Sequence, residues 1–130
     1  MRIVRFVETP EGGSRFEEID IQFSEAFQDP FGNTLHRTKP FASNGMLVEL
    51  PAGLDQDWHV VPNRQLVVVL SGRLEVETTD GQVRRWGVGE MFLADDPHGK
   101  GHRTRVLEGP AKLLFLQFDA NFDPERWARP

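Results

Sequence analysis

Short apolar runs separated by turn-forming residues recur along the whole chain, and this pattern limits the possible folds more than any other feature. The runs are rich in β-branched and aromatic residues, and Gly, Pro or Asp-Gly stands between them, as is typical of strands and hairpin turns. No segment shows a long helical period. Strands are predicted over residues 3–7, 16–23, 46–50, 58–61, 65–70, 74–78, 83–86, 91–94, 102–107 and 113–118. Many short strands at this spacing predict one all-β, antiparallel sandwich or barrel domain over residues 1–130.

Two segments depart from the strand pattern. Residues 24–44 contain FQDPFGNTLHRTKPF, which is rich in turn formers and has no clear period. A long loop is predicted there, lying across the mouth of a barrel or against a neighbouring subunit. Near the end, DPERWAR predicts one or two turns of helix, with Asp123 as N-cap and Pro124 at the first helical position. The domain then divides into N-terminal strands and loop (1–45), a barrel core (46–118) and a C-terminal tail (119–130).

The sequences QLVVVL at residues 65–70 and KLLFLQF at residues 112–118 are apolar on both faces of the strands that they would form. By contrast, LEVET at residues 74–78 alternates, as a strand does when one of its faces meets water. The two apolar strands are therefore predicted to be covered on both sides. One cover is the barrel interior, and the other is an N-terminal strand or a second copy of the chain. A homodimer is predicted on this basis.

Composition and charge exclude several classes of function. The 15 basic and 20 acidic residues give a formal net charge of -5, so a nucleic-acid partner is not expected, because phosphate needs a concentrated basic face. The absence of cysteine excludes disulfides, thiolate catalysis and cysteine zinc sites. No run approaches membrane-spanning length and no secretory signal is recognised, so no membrane partner is expected and a cytoplasmic location is predicted.

Two segments place a histidine at a fixed distance from glycines. The first is GLDQDWHVVPNRQLVVVLSG at residues 53–72, and the second is GVGEMFLADDPHGKGH at residues 87–102. In this order, and on predicted strands, they resemble the two motifs of the cupin superfamily. The resemblance implies a double-stranded β-barrel of jelly-roll type. It implies much less about function, because one fold carries many unrelated activities.

The resemblance implies a metal shell that is only partly kept. His59, Gln65 and His102 fall on ligand positions of the family, whereas Val61 and Val106 stand where the family has histidine and asparagine. Two imidazoles and a neutral amide bring no negative charge to offset a divalent cation. Asp57 shares a face with His59 if the strand is regular, and it is the alternative third ligand. The cofactor therefore stays unknown, with a divalent transition metal as one candidate.

Without a metal, the same residues describe an apolar cavity with a few convergent polar groups, as is typical of small-molecule sites. His59 and His102 are the candidate catalytic residues, because imidazoles transfer protons near neutral pH. Gln65, Val61 and Val106 are candidate ligand-binding residues. Lys100, near the predicted mouth, is a candidate contact for an anionic ligand.

Three functions are compatible with these residues. The favoured one is a small-molecule-binding cupin, with lyase, isomerase or cyclase chemistry driven by proton transfer if it is an enzyme. The alternatives are a metal-dependent cupin enzyme with a His/Gln/His shell and a non-catalytic ligand-binding or sensor module. In the simplest structural interpretation, the two histidines only hydrogen-bond to each other or to Gln65. Asp95 and Asp96 are interpreted as turn caps.

Overall fold

The computed structural model describes residues 1–130 and confirms a chain built almost wholly of strands. A single short helix follows the last strand. In chain order the elements are β1 (Arg2–Glu8), β2 (Ser14–Asp20), β3 (Glu25–Gln28), β4 (Thr34–Arg37), β5 (Ser43–Leu50), β6 (Asp55–His59), β7 (Gln65–Glu77), β8 (Val83–Trp86), β9 (Met91–Asp95), β10 (His102–Phe118) and α1 (Glu125–Ala128).

Eight strands form one sheet in the order β2-β1-β9-β7-β10-β5, with β6 paired to β10 and β8 paired to β7. Most pairs are antiparallel, but β1 runs parallel to β9, so the prediction of a wholly antiparallel fold is wrong. The reason is that β1 and β9 are joined through a long stretch of chain, which allows a parallel pair where a tight hairpin does not. β2 and β5 end the path, and the pairing does not close it into a ring.

Strands β7 and β10 are each one long strand where the sequence predicts two. Both bend near their middle, and each half pairs with different neighbours. The halves 65–68 and 111–118 pair with β9 and β5, whereas the halves 74–77 and 102–105 pair with β8 and β6. The bent pair therefore belongs to two layers of the fold, and a space lies between them.

Gly72 stands at this bend, where the two backbones come very close. It has φ +83°, and a Cβ atom at this position would lie 2.5 Å from the carbonyl oxygen of Glu108. Only glycine tolerates both the positive φ and this approach. The bend explains why the sequence pattern is interrupted here although the strand continues.

The core has two parts. The larger part fills the space between the layers and includes the inward residues of β7, such as Leu74 and Val76, each 1% exposed. The smaller part covers the other face of the sheet, where Leu66 and Leu93 pack with Phe118 and Trp127. The second cover predicted for the apolar strands thus comes, at this end, from the C-terminal segment. The C-terminal segment does not cover the whole sheet, and Leu47 on β5 is 76% exposed.

The prediction of a long loop over residues 24–44 is wrong in part, because the segment contains the hairpin of β3 and β4. The side chain of Asp29 forms the turn by accepting hydrogen bonds from the amides of Phe31 and Asn33. The short C-terminal helix is confirmed, but its N-cap is Pro124 and not Asp123 as predicted, because the helix begins one residue later, at Glu125. The Asp123 carboxylate accepts from the amide of Glu125. No helix of the protein has the length and apolar character to cross a membrane.

Replacing Gly72 by alanine should destabilise the protein more than the same change at Gly81, which has the same φ of +83° but no atom within 4 Å of a Cβ. Backbone strain should cost about 1–2 kcal/mol at both positions. The contact with Glu108 should add about 1–3 kcal/mol for Gly72→Ala alone. Denaturant unfolding of both variants measures the difference, and equal losses of unfolding free energy would contradict the close approach at the bend.

Candidate functional site

A cavity of about 340 Å³ lies between the two layers of strands. Its size is at the lower end of the range for small-molecule sites. Most of the wall is apolar and comes from residues such as Phe6, Val67, Leu74, Phe92, Leu113 and Phe115. Val61 also lines it and is 5% exposed. The polar groups on the wall come mainly in two cross-strand pairs.

The first pair is His59 and His102, which are partners across β6 and β10. Their ring centroids are 4.4 Å apart, and the ring of His102 is also 4.5 Å from that of Phe6. Both histidines line the cavity. Gly101 allows this pairing, because a Cβ atom there would collide with the carbonyl group of His59. The structure therefore brings together the two predicted catalytic residues, which are far apart in the sequence.

Both imidazoles are held through Nδ1. His59 Nδ1 is 2.7 Å from the carbonyl oxygen of Asp57, which can only accept, so Nδ1 carries the proton and donates it. His102 Nδ1 is 2.6 Å from Oδ2 of Asp96 and donates to that carboxylate. In the neutral form of each ring, Nε2 is then the nitrogen with a free lone pair. The arrangement leaves two oriented proton acceptors beside the cavity.

Asp96 is the functional candidate that the sequence interpretation missed. Its side chain is fully buried against His102 and does not act as a turn cap. Burial raises the pKa of the Asp96 carboxyl, while the hydrogen bond from His102 and the charge of His59 act in the opposite direction. Oδ1 of Asp96 has no hydrogen-bond partner. The neighbouring Asp95 instead accepts from Arg64 at 2.7 Å.

The second polar pair is Gln65 and Gln117, partners across β7 and β10. Nε2 of Gln117 donates to Oε1 of Gln65 at 3.4 Å, which is a long hydrogen bond. The amide nitrogen of Gln65 and the amide oxygen of Gln117 make no side-chain hydrogen bond. By strand register, the glutamine pair lies at one end of the β7–β10 pairing. His102 lies at the start of β10, next to the other end of this pairing, and faces His59 on β6.

Three other predicted residues lie elsewhere. Val106 belongs to the buried core and does not line the cavity. The ammonium group of Lys100 lies 4.6 Å from the ring centroid of Trp58, outside the cavity wall. The Asp57 side chain is 88% exposed and lies 3.9 Å from Arg103, so Asp57 as a third metal ligand is wrong. Only its backbone carbonyl serves the site.

The donor set fits a resident transition metal poorly. The resemblance to cupins implies such a metal, and Nε2 of each histidine is suited to bind one. A stable site needs three or four good ligands, and no group of three or more His, Cys, Asp or Glu side chains is placed to hold an ion. The third candidate, Gln65, is a neutral amide and a weak ligand. The donor set is therefore weaker than the one that a stably bound transition metal needs.

Comparison with known protein sequences gives one partial relative, and no protein-family model matches the chain. The relative is the dimethylsulfoniopropionate lyase DddQ of Ruegeria pomeroyi, 32% identical over 80 residues. This match covers 59% of the present chain and 39% of the lyase. The chain thus spans about two fifths of the length of the curated relative that it matches.

Several solved structures are similar in fold. The crystal structure of the Ruegeria pomeroyi lyase has a TM-score of 0.49 at 22% identity, covering 76% of this chain and 48% of that one. The Cnp3 cupin domain of Schizosaccharomyces pombe has a TM-score of 0.47 at 16% identity, covering 90% and 81%. An RmlC-like cupin of Shewanella frigidimarina has 0.47 at 18% identity, covering 61% and 68%. Proteins named as cupins are among these neighbours.

The burial of Asp96 should appear in the pH dependence of stability. Because its pKa is raised in the folded state, the folded protein holds this proton more tightly than the unfolded chain. The unfolding free energy should therefore fall as the pH rises from the ordinary value of 3.8 through the raised value. Asp96→Asn lacks this carboxyl group, so the variant should not show this fall in unfolding free energy. The difference in unfolding free energy between the variant and the unmodified protein should therefore shift in favour of the variant as the pH rises over this range.

Denaturant unfolding between about pH 3 and pH 7 measures this effect. Asp57→Asn is the matched control, because it removes one carboxylate from an exposed position and leaves Asp96 in place. A stability curve for Asp96→Asn that runs parallel to that of the unmodified protein would contradict the raised pKa.

Proposed function

We propose that this chain is a small-molecule-binding cupin whose cavity histidines transfer protons in a lyase-, isomerase- or cyclase-type reaction. In this proposal the two layers of strands are the two sides of the cupin double-stranded barrel. The observation that carries it is the pair of His59 and His102 beside an apolar cavity, with a buried carboxylate behind His102. A histidine held by a buried aspartate is a recurrent device for general-base catalysis.

His102 is the base in this proposal. Its Nδ1–H donates to Asp96, so the free Nε2 takes a proton from the substrate. The imidazolium that forms is stabilised by the adjacent Asp96 carboxylate. This carboxylate is already hydrogen-bonded to the ring, so it need not reorient when the proton is transferred. The removal of the proton from carbon then allows a leaving group to depart, a double bond to move or a ring to form.

His59 is the acid and the route to solvent. It is half-buried, whereas His102 is 4% exposed, so His59 exchanges protons with water more readily. Its Nδ1–H is fixed on the neutral carbonyl of Asp57, so a proton on its Nε2 is not retained by a buried carboxylate. His59 first takes up a solvent proton on Nε2, and the imidazolium then donates this proton to the departing group and returns to its neutral form. The partial relative is named a lyase, which belongs to the reaction class proposed here.

One observation favours the metal-dependent alternative. Histidines that bind metals usually donate their second ring nitrogen to a carboxylate or a carbonyl, as both His102 and His59 do. In that alternative, Gln65 would complete the shell with water. A homodimer, which would cover Leu47 and Leu70, and a cytoplasmic location stay predictions from the sequence.

A general-base probe tests the proposed chemistry before the substrate is known. The neutral aromatic 5-nitrobenzisoxazole opens its ring when a base removes its C3 proton and the N–O bond breaks. The protein should accelerate this reaction over free imidazole at equal concentration, and His102→Gln should lower the rate by about 100-fold. Absorbance of the phenolate product measures both rates.

The control variant is His36→Gln, because His36 lies on the exposed strand β4 and should not affect the rate. Equal rates for the unmodified protein and His102→Gln would refute His102 as the base. Dialysis against a chelator should leave the rate unchanged. A rate that is lost on dialysis and restored by a divalent metal would instead establish the metal-dependent alternative.

A further inference from the structure

The wall of the cavity contains no Lys, Arg, Asp or Glu side chain. Its polar groups are the two histidines, three glutamine amides and the hydroxyl of Thr104. Every one of these groups is neutral when the imidazoles are unprotonated. The lack of charge is notable in a chain in which 27% of the residues are charged.

The cations near the site face outward and are already paired. Arg103 lies 3.3 Å from Asp55, and Arg105 lies 3.0 Å from Glu75 and 2.8 Å from Glu77. On the other layer, Arg64 lies 2.7 Å from Asp95. An anion inside the cavity would therefore meet no guanidinium group.

Lys100 does not supply the missing charge either. It lies over the ring of Trp58 and lines a surface groove with Gly12, Thr79 and Asp80 instead. The contact of Lys100 with an anionic ligand, predicted from its position near the second motif, thus lacks the required geometry in the cavity.

We infer that the cavity selects an uncharged small molecule, with an apolar body and a carbonyl, amide or hydroxyl group, and that it rejects carboxylates and phosphates. This inference rests on the proposed function, because it takes the same cavity as the binding site. Moving a carboxylate from water into an apolar site without a counterion costs several kcal/mol, and a neutral amide or hydroxyl costs far less if it forms hydrogen bonds.

The two polar pairs match such a group. The amide nitrogen of Gln65 is a free donor, and the amide oxygen of Gln117 is a free acceptor. Nε2 of His102 and of His59 are further acceptors when the rings are neutral. A ligand carbonyl or hydroxyl can therefore exchange its hydrogen bonds with water for hydrogen bonds with the wall, while its apolar body contacts the phenylalanines. The buried Asp96 carboxylate behind His102 adds to the repulsion of an anion.

Three ligands of one shape and different charge test the inference at pH 8: benzamide (neutral), benzoate (anion) and benzylammonium (cation). Shifts of the methyl NMR signals of Val61 and Leu113, which line the cavity, report binding inside it. Benzamide should bind at least tenfold more tightly than benzoate and than benzylammonium. Benzoate or benzylammonium binding as tightly as benzamide would overturn the inference, and so would failure of all three to bind.

A charge placed in the wall should reverse the preference. Gln117→Lys should bind benzoate at least tenfold more tightly than Gln117→Met, which is the neutral control of similar length. Gln56→Lys provides the same test at an exposed position of the wall, where the fold tolerates a charge. Unchanged benzoate affinity in folded samples of both lysine variants would contradict the role of wall charge.

The two proposals fail separately. Selective binding of benzamide without turnover of 5-nitrobenzisoxazole would refute the proton-transfer function and retain the neutral-ligand cavity. Turnover together with tight benzoate binding would retain the function and refute the charge selectivity.

Discussion

The continuous pairing of β7 with β10 is the constraint on which the rest of the structure depends. The pair runs from Arg103 opposite Glu77 to Gln117 opposite Gln65, through a bend at Gly72. Because every other strand of the large sheet except β1 and β2 pairs with one of these two strands, the bend places their partners in two layers. The cavity is the space between these layers. Its polar groups lie at the two ends of this pairing, because the glutamine pair ends it on one side and the histidine pair of β6 and β10 lies next to the other side.

Charge is distributed by strand alternation. On the second half of β7, Leu74 and Val76 point into the core, while Glu75 and Glu77 point outward and pair with Arg105. Glu75 is itself buried, and these ion pairs hold Arg105 on the side of the sheet away from the cavity. Asp96 is the exception, because its carboxylate is fully buried beside a histidine. A fully buried carboxylate that orients an imidazole is more typical of a functional site than of a structural one.

Local alternation and turn chemistry predicted most of the strands and the short helix, but not the hairpin of β3 and β4. The convergence of His59 and His102 was implied by the resemblance to cupins. The parallel β1–β9 pair was not predictable from local pattern, because it depends on which distant strand lies beside the N-terminus. The bend at Gly72 was interpreted as a strand end, because a glycine that permits a close backbone approach has the same sequence signal as a turn. The available signal for Asp96 was its parity with Phe92 and Ala94, which face the cavity, although β9 ends one residue before it and its carboxylate does not line the cavity.

A carboxylate behind a histidine occurs both in proton transfer and in metal binding, so the choice between the two chemistries that the motifs leave open depends on the groups that line the cavity. A metal shell would place a carboxylate or a further histidine on the cavity side, but Val61 occupies one such position and the Asp57 side chain points to solvent. The only buried carboxylate at the site lies behind His102, where it cannot reach a ligand in the cavity and where it stabilises a protonated ring. A negative charge in that position favours a histidine that gains and loses a proton. These features support the proposal of a base in an apolar, uncharged cavity that takes a neutral molecule and removes a proton from its carbon.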